Sequence, residues 1–353
     1  MSHVERKDRI IILVAIVATI AAGLTHALGA PPLLSFALSA VSLATLAASI
    51  GLSIDQLATR ISPSVTGILQ SALGNLPELF ICIFALRAGL IDVVQTALIG
   101  SILANSLLVL GLAFFAGGVV NGRQKFSAEE PRAISIVIAV AAAALVIPSL
   151  AVQLHTPAAP HAGTISVACA IVLLAIFVAS VMFSSRIRPE PDETHEATSP
   201  RWPIGLTFGV LVAASIASAF VSDWFVEALA PTIALLGISQ AFTGLVVVAV
   251  AGNAVENVVG VTMAIRNKTA LSISLILNSS LQVSVALIPA LVLLCLFIPG
   301  ANLTLVFPPL LVIVIVLAAV VPMMAISDGE SNWLEGVALI GLYAIVAAAF
   351  WWG

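Results

Sequence analysis

Residues 74–78 read Gly-Asn-Leu-Pro-Glu, and residues 252–256 read Gly-Asn-Ala-Val-Glu. Each pentad lies inside a long apolar stretch, and the two are 178 residues apart. The same offset lays Ser101, in GSILANS (100–106), over Ser279, in NSSLQVS (278–284). A weaker match precedes them, Ile54-Asp55-Gln56-Leu57-Ala58 against Val226-Glu227-Ala228-Leu229-Ala230. Two polar matches at one offset, in a chain so poor in polar residues, mark an internal repeat.

Outward from these pentads the text is apolar almost throughout. The 353 residues are 61% hydrophobic and 8% charged, with mean hydropathy +1.20. Ordinary globular chains carry about 25% charged residues. So few charges exclude a soluble enzyme, a nucleic-acid-binding domain and a disordered chain. Cys82, Cys169 and Cys295 lie in apolar runs without CxxC spacing and read as small core residues.

A membrane helix needs about 20 apolar residues. Eleven candidates are legible: 10–28, 33–58, 63–87, 92–118, 132–151, 163–185, 203–230, 238–265, 270–297, 304–326 and 333–352. The fold class is an all-α polytopic membrane protein of about 11 transmembrane helices, without a cleavable leader. An N-terminus on the cytoplasmic side places twelve of the thirteen basic residues inside, only Arg87 falling outside. That satisfies the positive-inside rule and puts the C-terminus outside.

The divisions are an extra N-terminal helix (1–32), a first five-helix repeat (33–185), an acidic linker (186–202) and a second five-helix repeat (203–353). Five is odd, so the second repeat enters the membrane from the opposite side. Inverted repeats typify secondary transporters, whose sites lie near the midplane.

Glu78 and Glu256 are expected deep within the helices 63–87 and 238–265. An ionised carboxylate there costs a few kcal/mol or more, and no Lys or Arg lies at comparable depth. A proton or a cation must neutralise each one. Gly74 and Gly252 weaken the helix before each Glu, and Asn75 and Asn253 supply amide oxygens. Pro77 removes a backbone hydrogen bond and frees a carbonyl in the turn before it. With the Ser101 and Ser279 hydroxyls this is an oxygen-only set, suited to Ca²⁺ and lacking the His or Cys of a zinc or copper site. Ca²⁺ and protons compete for the same carboxylates, which is exchange chemistry. Asp55 and Glu227, near opposite ends of related helices, are candidates for a cation or proton pathway, with solvated helix-end charges as the other reading. Asn105 and Gln282 are candidate ligands or hydrogen-bond glue. His155 and His161 fall in an external loop.

The stretches GNLPELFICIFALRAG (74–89), GSILANSLLVLG (100–111), GNAVENVVGVTMAIRNK (252–268), SSLQ (279–282) and SDGESNWLEG (327–336) resemble the calcium/proton exchanger branch of the calcium/cation antiporter superfamily. The resemblance runs from about residue 33 to the C-terminus. It implies ten core helices in two inverted repeats, with the second and seventh core helices (63–87 and 238–265) forming the ion site. It matches Glu78 and Glu256 to the two essential acids and Asn75 and Asn253 to the amides before them. Three positions depart from the family pattern. Asn257 stands where the family often has His, Asn278 where it often has Gly, and Asp55 where it usually has Glu. SDGESNWLEG reads as a loop and helix cap, with Ser327 or Asp328 capping.

The expected function is Ca²⁺/H⁺ antiport in a prokaryotic inner membrane. Sodium/calcium exchange, exchange of another divalent cation and, at a distance, a cation channel are the alternatives. No cofactor and no nucleic acid are implied, and no enzyme motif such as HExxH occurs. The partners are Ca²⁺, protons and the bilayer, with a homo-oligomer left open.

Overall fold

The computed structural model describes residues 5–61, 63–184, 202–298 and 303–352. Its helices are α1 (Arg6–Ala27), α2 (Pro32–Ala58), α3 (Pro63–Leu73), α4 (Leu76–Arg87), α5 (Ile91–Leu103), α6 (Leu110–Asn121), α7 (Glu129–Gln153), α8 (Ala162–Ser184), α9 (Ile204–Leu236), α10 (Gln240–Phe242), α11 (Ala249–Gly252), α12 (Ala254–Ile265), α13 (Thr269–Gln282), α14 (Ile288–Cys295), α15 (Pro309–Ala325) and α16 (Trp333–Ala349). Single π-turns join α5 to α6 (Ala104–Val109), α10 to α11 (Thr243–Val248) and α13 to α14 (Val283–Leu287). Two short strands, β1 (Gln124–Lys125) and β2 (Glu330–Ser331), pair antiparallel.

The chain is an all-α polytopic membrane protein. Among the described residues seven helices, some continuing through a π-turn or a 3₁₀ turn, are long and apolar enough to cross a membrane, and the bent pair 240–252 and 256–265 makes up to eight. α15 and α16 are shorter apolar helices. Large apolar side chains such as Leu13, Val17 and Ile20 of α1 point outward, as a lipid-facing surface requires.

Two expectations change. The helices 63–87 and 238–265 are not continuous: each breaks at its asparagine, the first at residues 74–75 and the second at Asn253. The second break bends the span by 65°. Pro77 thereby falls in the first turn of α4, where a missing N–H costs nothing, rather than costing a hydrogen bond in mid-helix. The helix expected at 203–230 runs to Leu236, because Pro231 is tolerated within it and Gly237, at φ +63°, ends it. The acidic linker lies outside the described residues apart from Trp202.

Two compact units emerge, residues 1–84 with 177–236 and residues 85–176 with 237–353. In the first, α2 packs along both α1 and α9. Its buried face carries Ser35, Ser39, Ser42, Ser49 and Ser53 at helical spacing, and Phe36 stacks on Phe225 at 4.6 Å. Most hydroxyls here bond their own helix: Ser49 to the Thr45 carbonyl (2.9 Å), Ser53 to that of Ser49 (2.8 Å), Ser218 to that of Ala214 (2.8 Å). Trp202 is fully buried. Its indole N–H donates to Asp8 (3.1 Å), its backbone N–H to Gln56 (3.2 Å), and its carbonyl accepts from Arg60 (2.6 Å).

In the second unit glycines let helices cross closely, as small residues do in membranes. A Cβ on Gly100 would collide with the Leu245 backbone, and one on Gly111 would come within 2.9 Å of the Gly336 carbonyl. Residues 304–307 lie outside any helix and are gripped by side chains. Ser149 donates to the Leu305 carbonyl and accepts from Phe307 N–H, Ser166 accepts from Leu305 N–H, and Gln95 and Gln153 donate to Val306 and Phe307. Every backbone group in an apolar layer needs such a partner.

Candidate ion-binding site

Asn253 ends α11 and precedes α12 with φ −107° and ψ 13°. Its side chain does not cap α12. Instead its amide donates to the Ala249 carbonyl (3.0 Å) and to Ser101 Oγ (3.2 Å). Glu256 therefore sits in the first turn of a half-helix, not deep inside a long one. Unpaired N–H groups and the helix dipole favour negative charge there. Ser279 of α13 donates to Glu256 Oε2 at 2.5 Å and accepts from Asn105 Nδ2 at 2.9 Å. Next to them Ser106 and Ser280 bond at 3.0 Å.

A longer contact from Ser279 Oγ to Asn253 Oδ1 (3.5 Å) joins the two groups, so five of the expected residues, Asn253, Glu256, Ser279, Ser101 and Asn105, form one connected polar thread. Gln282 is the last residue of α13, part-buried. Gly252 has open space where a Cβ would go, so its service is to weaken the helix rather than to admit a neighbour.

Glu78 and Asn75 belong to the other unit. Asn75 is 7% exposed and Glu78 4%. Glu78, like Glu256, lies in the first turn of its half-helix, and the Pro77 carbonyl beside it accepts from Ser222 of α9 at 3.3 Å. Gly74 makes the turn into the break.

Asp55 is exposed in the last turn of α2. Glu227 is exposed too, but it is not at a helix end, since α9 continues nine residues beyond it. It faces His26 Nδ1 at 3.3 Å, and His26 stacks on Trp224. His155 has a left-handed φ of 52° in the turn after α7.

The closing signature also differs from expectation. Asn332, not Ser327 or Asp328, caps α16, in a capping box with Glu335. Asp328 accepts from Glu330 N–H within the loop. Glu330 pairs with Arg123 (3.1 Å) and Lys125 (3.2 Å) across the β1–β2 ladder.

Sequence reading missed Ser106, Ser280, Ser222, His26, Asp8 and Trp202. The Ser106 and Ser280 signal was present, since each directly follows a flagged residue. Nothing local marked the others, which matter through partners more than 140 residues away or on another helix.

The sodium/calcium exchanger protein family matches residues 31–186 and 206–352. The chain belongs to this family. It is 32% identical over 348 residues to a Ca²⁺/H⁺ antiporter of Synechocystis sp., covering 92% of each chain. It is 32% identical over 330 residues to the Ca²⁺/H⁺ antiporter ChaA of Bacillus subtilis, covering 91% of this chain and 92% of that one. Its fold is similar to that of native YfkE, with a TM-score of 0.82 and 29% identity, over 97% of this chain and 99% of that one. Family members of this kind are transporters, not enzymes.

Proposed function

We propose that this protein exchanges Ca²⁺ for H⁺ by alternating access, with Glu78 and Glu256 taking Ca²⁺ or protons in competition. The observation that carries the reading is the oxygen thread at the α11–α12 break. A carboxylate, an amide and hydroxyls converge at the start of a half-helix, with no nitrogen or sulfur ligand among them. This is a hard-cation donor set, and interrupted helices are where transporters bind ions. Relatives spanning nearly the whole chain and bearing the name Ca²⁺/H⁺ antiporter support the ion pair.

Asn75, Asn253, Ser101 and Ser279 complete the proposed ligand set, with Asn105 and Gln282 behind them. Asp55 and Glu227 serve the approach of cations or protons. The division into an extra helix and two inverted repeats, the eleven spans, the cytoplasmic N-terminus, the external C-terminus and placement in a prokaryotic inner membrane belong to the same proposal. Ca²⁺ loading neutralises the two carboxylates, and so does double protonation. Either loaded form crosses more easily than the empty dianion, whose burial is penalised. Acidification therefore raises the Ca²⁺ concentration needed for half-maximal transport.

The test is Ca²⁺-dependent proton flux in proteoliposomes, with Glu78→Gln and Glu256→Gln. Loss of exchange in both is expected, and full exchange in both overturns the site. The family also includes exchangers named for sodium, so the same vesicles are run with a Na⁺ gradient. Ca²⁺ uptake that ignores collapse of the pH gradient and follows Na⁺ overturns the proton half. Ca²⁺ conduction without any counter-ion points to a channel instead.

A further inference from the structure

The chain turns at residues 121–125 after α6, and side chains of this turn reach another helix. Gln124 is 3% exposed. Its Nε2 donates to the Ala264 carbonyl (3.0 Å) and to Asn267 Oδ1 (2.9 Å). Asn121 Nδ2 donates to the Ala264 carbonyl (3.3 Å) and to that of Ile265 (3.0 Å). These carbonyls belong to the last turn of α12, where that of Ala264 also accepts from the Asn267 N–H (3.0 Å). Glu256 is in the first turn of the same helix, about 12 Å away along its axis.

α12 needs outside support because the break at Asn253 cuts the backbone ladder that would align it with α11. Three fastenings replace that ladder. At the start, Ser279 holds Glu256 (2.5 Å). In the middle, Ser272 donates to the Gly260 carbonyl (2.7 Å), and a Cβ on Gly260 would come within 2.9 Å of Ile276. At the far end stand Gln124 and Asn121. A Cβ on Gly117 would run into the Gln124 amide, so the glycine leaves room for it. The Gln124 Oε1 is buried with no hydrogen-bond partner among the described residues. Such an orphan acceptor is costly, and a residue that merely filled space would not need it.

We propose that Gln124, seconded by Asn121, is a positioning residue for ion binding: by tying down the C-terminal end of α12 it sets where the Glu256 carboxylate lies at the other end. This rests on the proposed role of Glu256.

The experiment uses the full chain in proteoliposomes and, in detergent, Ca²⁺ titration. Gln124→Leu keeps bulk and removes the donors. It is expected to raise the half-saturating Ca²⁺ about 10-fold, the scale seen when groups behind metal ligands are removed. Maximal flux at saturating Ca²⁺ changes much less, and acid inhibits at a higher pH for a given Ca²⁺ concentration. Arg123→Ala and Lys125→Ala, in the same turn but with exposed side chains, keep wild-type half-saturation. If Gln124→Leu gives no monodisperse protein, Asn121→Ala is measured for the same shift in half-saturation and pH profile. A Gln124→Leu protein with wild-type half-saturation and pH profile overturns the inference. So does one that loses only maximal flux, or an equal shift in Arg123→Ala. Glu256→Gln runs alongside. If it abolishes exchange while Gln124→Leu binds Ca²⁺ normally, this inference alone falls. If Glu256→Gln retains exchange and Ca²⁺ binding, both readings fall.

Discussion

The two compact units solve the same problem, burying polar side chains among apolar helices, in opposite ways. In the unit of α1, α2 and α9 most buried hydroxyls turn back on their own helices, as Ser49, Ser53 and Ser218 do. Those faces are largely self-satisfied, with crossing bonds at only a few places, such as Thr19 to Ser42 (2.9 Å) and Ser222 to the Pro77 carbonyl (3.3 Å). In the other unit the polar side chains cross from element to element. Asn105 reaches Ser279, Asn253 reaches Ser101, Gln124 reaches Ala264, and Ser149 reaches Leu305 and Phe307. A back-bonded serine can be lost with little consequence, because both partners sit on one helix. A crossing bond leaves a dry partner behind when it is cut, and that costs about 1–3 kcal/mol. The contrast teaches where precision is concentrated: around the Glu256 half-helix, not along the serine face of α2.

The harshest test of the contrast is Glu256→Gln, for which Ca²⁺-dependent proton flux in proteoliposomes should fall below detection. Next comes Trp202→Ala, which removes the largest fully buried side chain making a crossing contact in the unit of α1, α2 and α9. It empties a fully buried site and strands Asp8, which loses the indole donor, so thermal denaturation in detergent should show about 3–5 kcal/mol of lost stability. Ser279→Ala should raise half-saturating Ca²⁺ about 10-fold by releasing the carboxylate and the Asn105 amide together, read by Ca²⁺ titration. Ser53→Ala, a back-bonded serine, should stay within about 0.5 kcal/mol of wild type in the same denaturation assay. A shift in half-saturating Ca²⁺ for Ser53→Ala as large as that of Ser279→Ala would erase the distinction between the units. Smallest of all, His26→Ala removes a part-exposed pair with Glu227 and should change stability by less than about 1 kcal/mol.

Much of this architecture is legible in the chain. Long apolar runs punctuated by Pro, Gly and Asn give helices close to those observed, because at 8% charge almost nothing competes with the hydropathy pattern. The duplicated Gly-Asn pair marks both helix breaks, since glycine weakens a helix wherever it sits. What could not be read is what the breaks do to their neighbours. Hydropathy is continuous through residues 63–87 and 238–265, so both carboxylates looked central to a helix when they are near the start of one. The cap of α16 was misplaced for a related reason. Ser327, Asp328 and Asn332 are all good capping residues, and only the partner Glu335, three positions after Asn332, singles out the last. Fastenings such as Gln124 to Ala264 and Trp202 to Asp8 span 140 or more residues, beyond the reach of any local pattern.

The π-turns have a consequence for helical phase. Between α5 and α6 one surplus residue is accommodated at Ala104–Val109, and between α13 and α14 another at Val283–Leu287. The two coincide over residues 105–109 and 283–287 at the offset that relates the glutamates. Each residue of an α-helix advances the side chains by about 100° around the axis, so a surplus residue rotates everything after it by that amount. The span 91–121 can thus aim Ser101 and Asn105 at one set of partners and still aim Gly111 and Gly118 at α16. A single-residue deletion within 105–109 would restore a uniform helix of the same composition and hydropathy. It would also swing one of those two faces away from its partners, so the span would keep its place in the bilayer and lose its bearing.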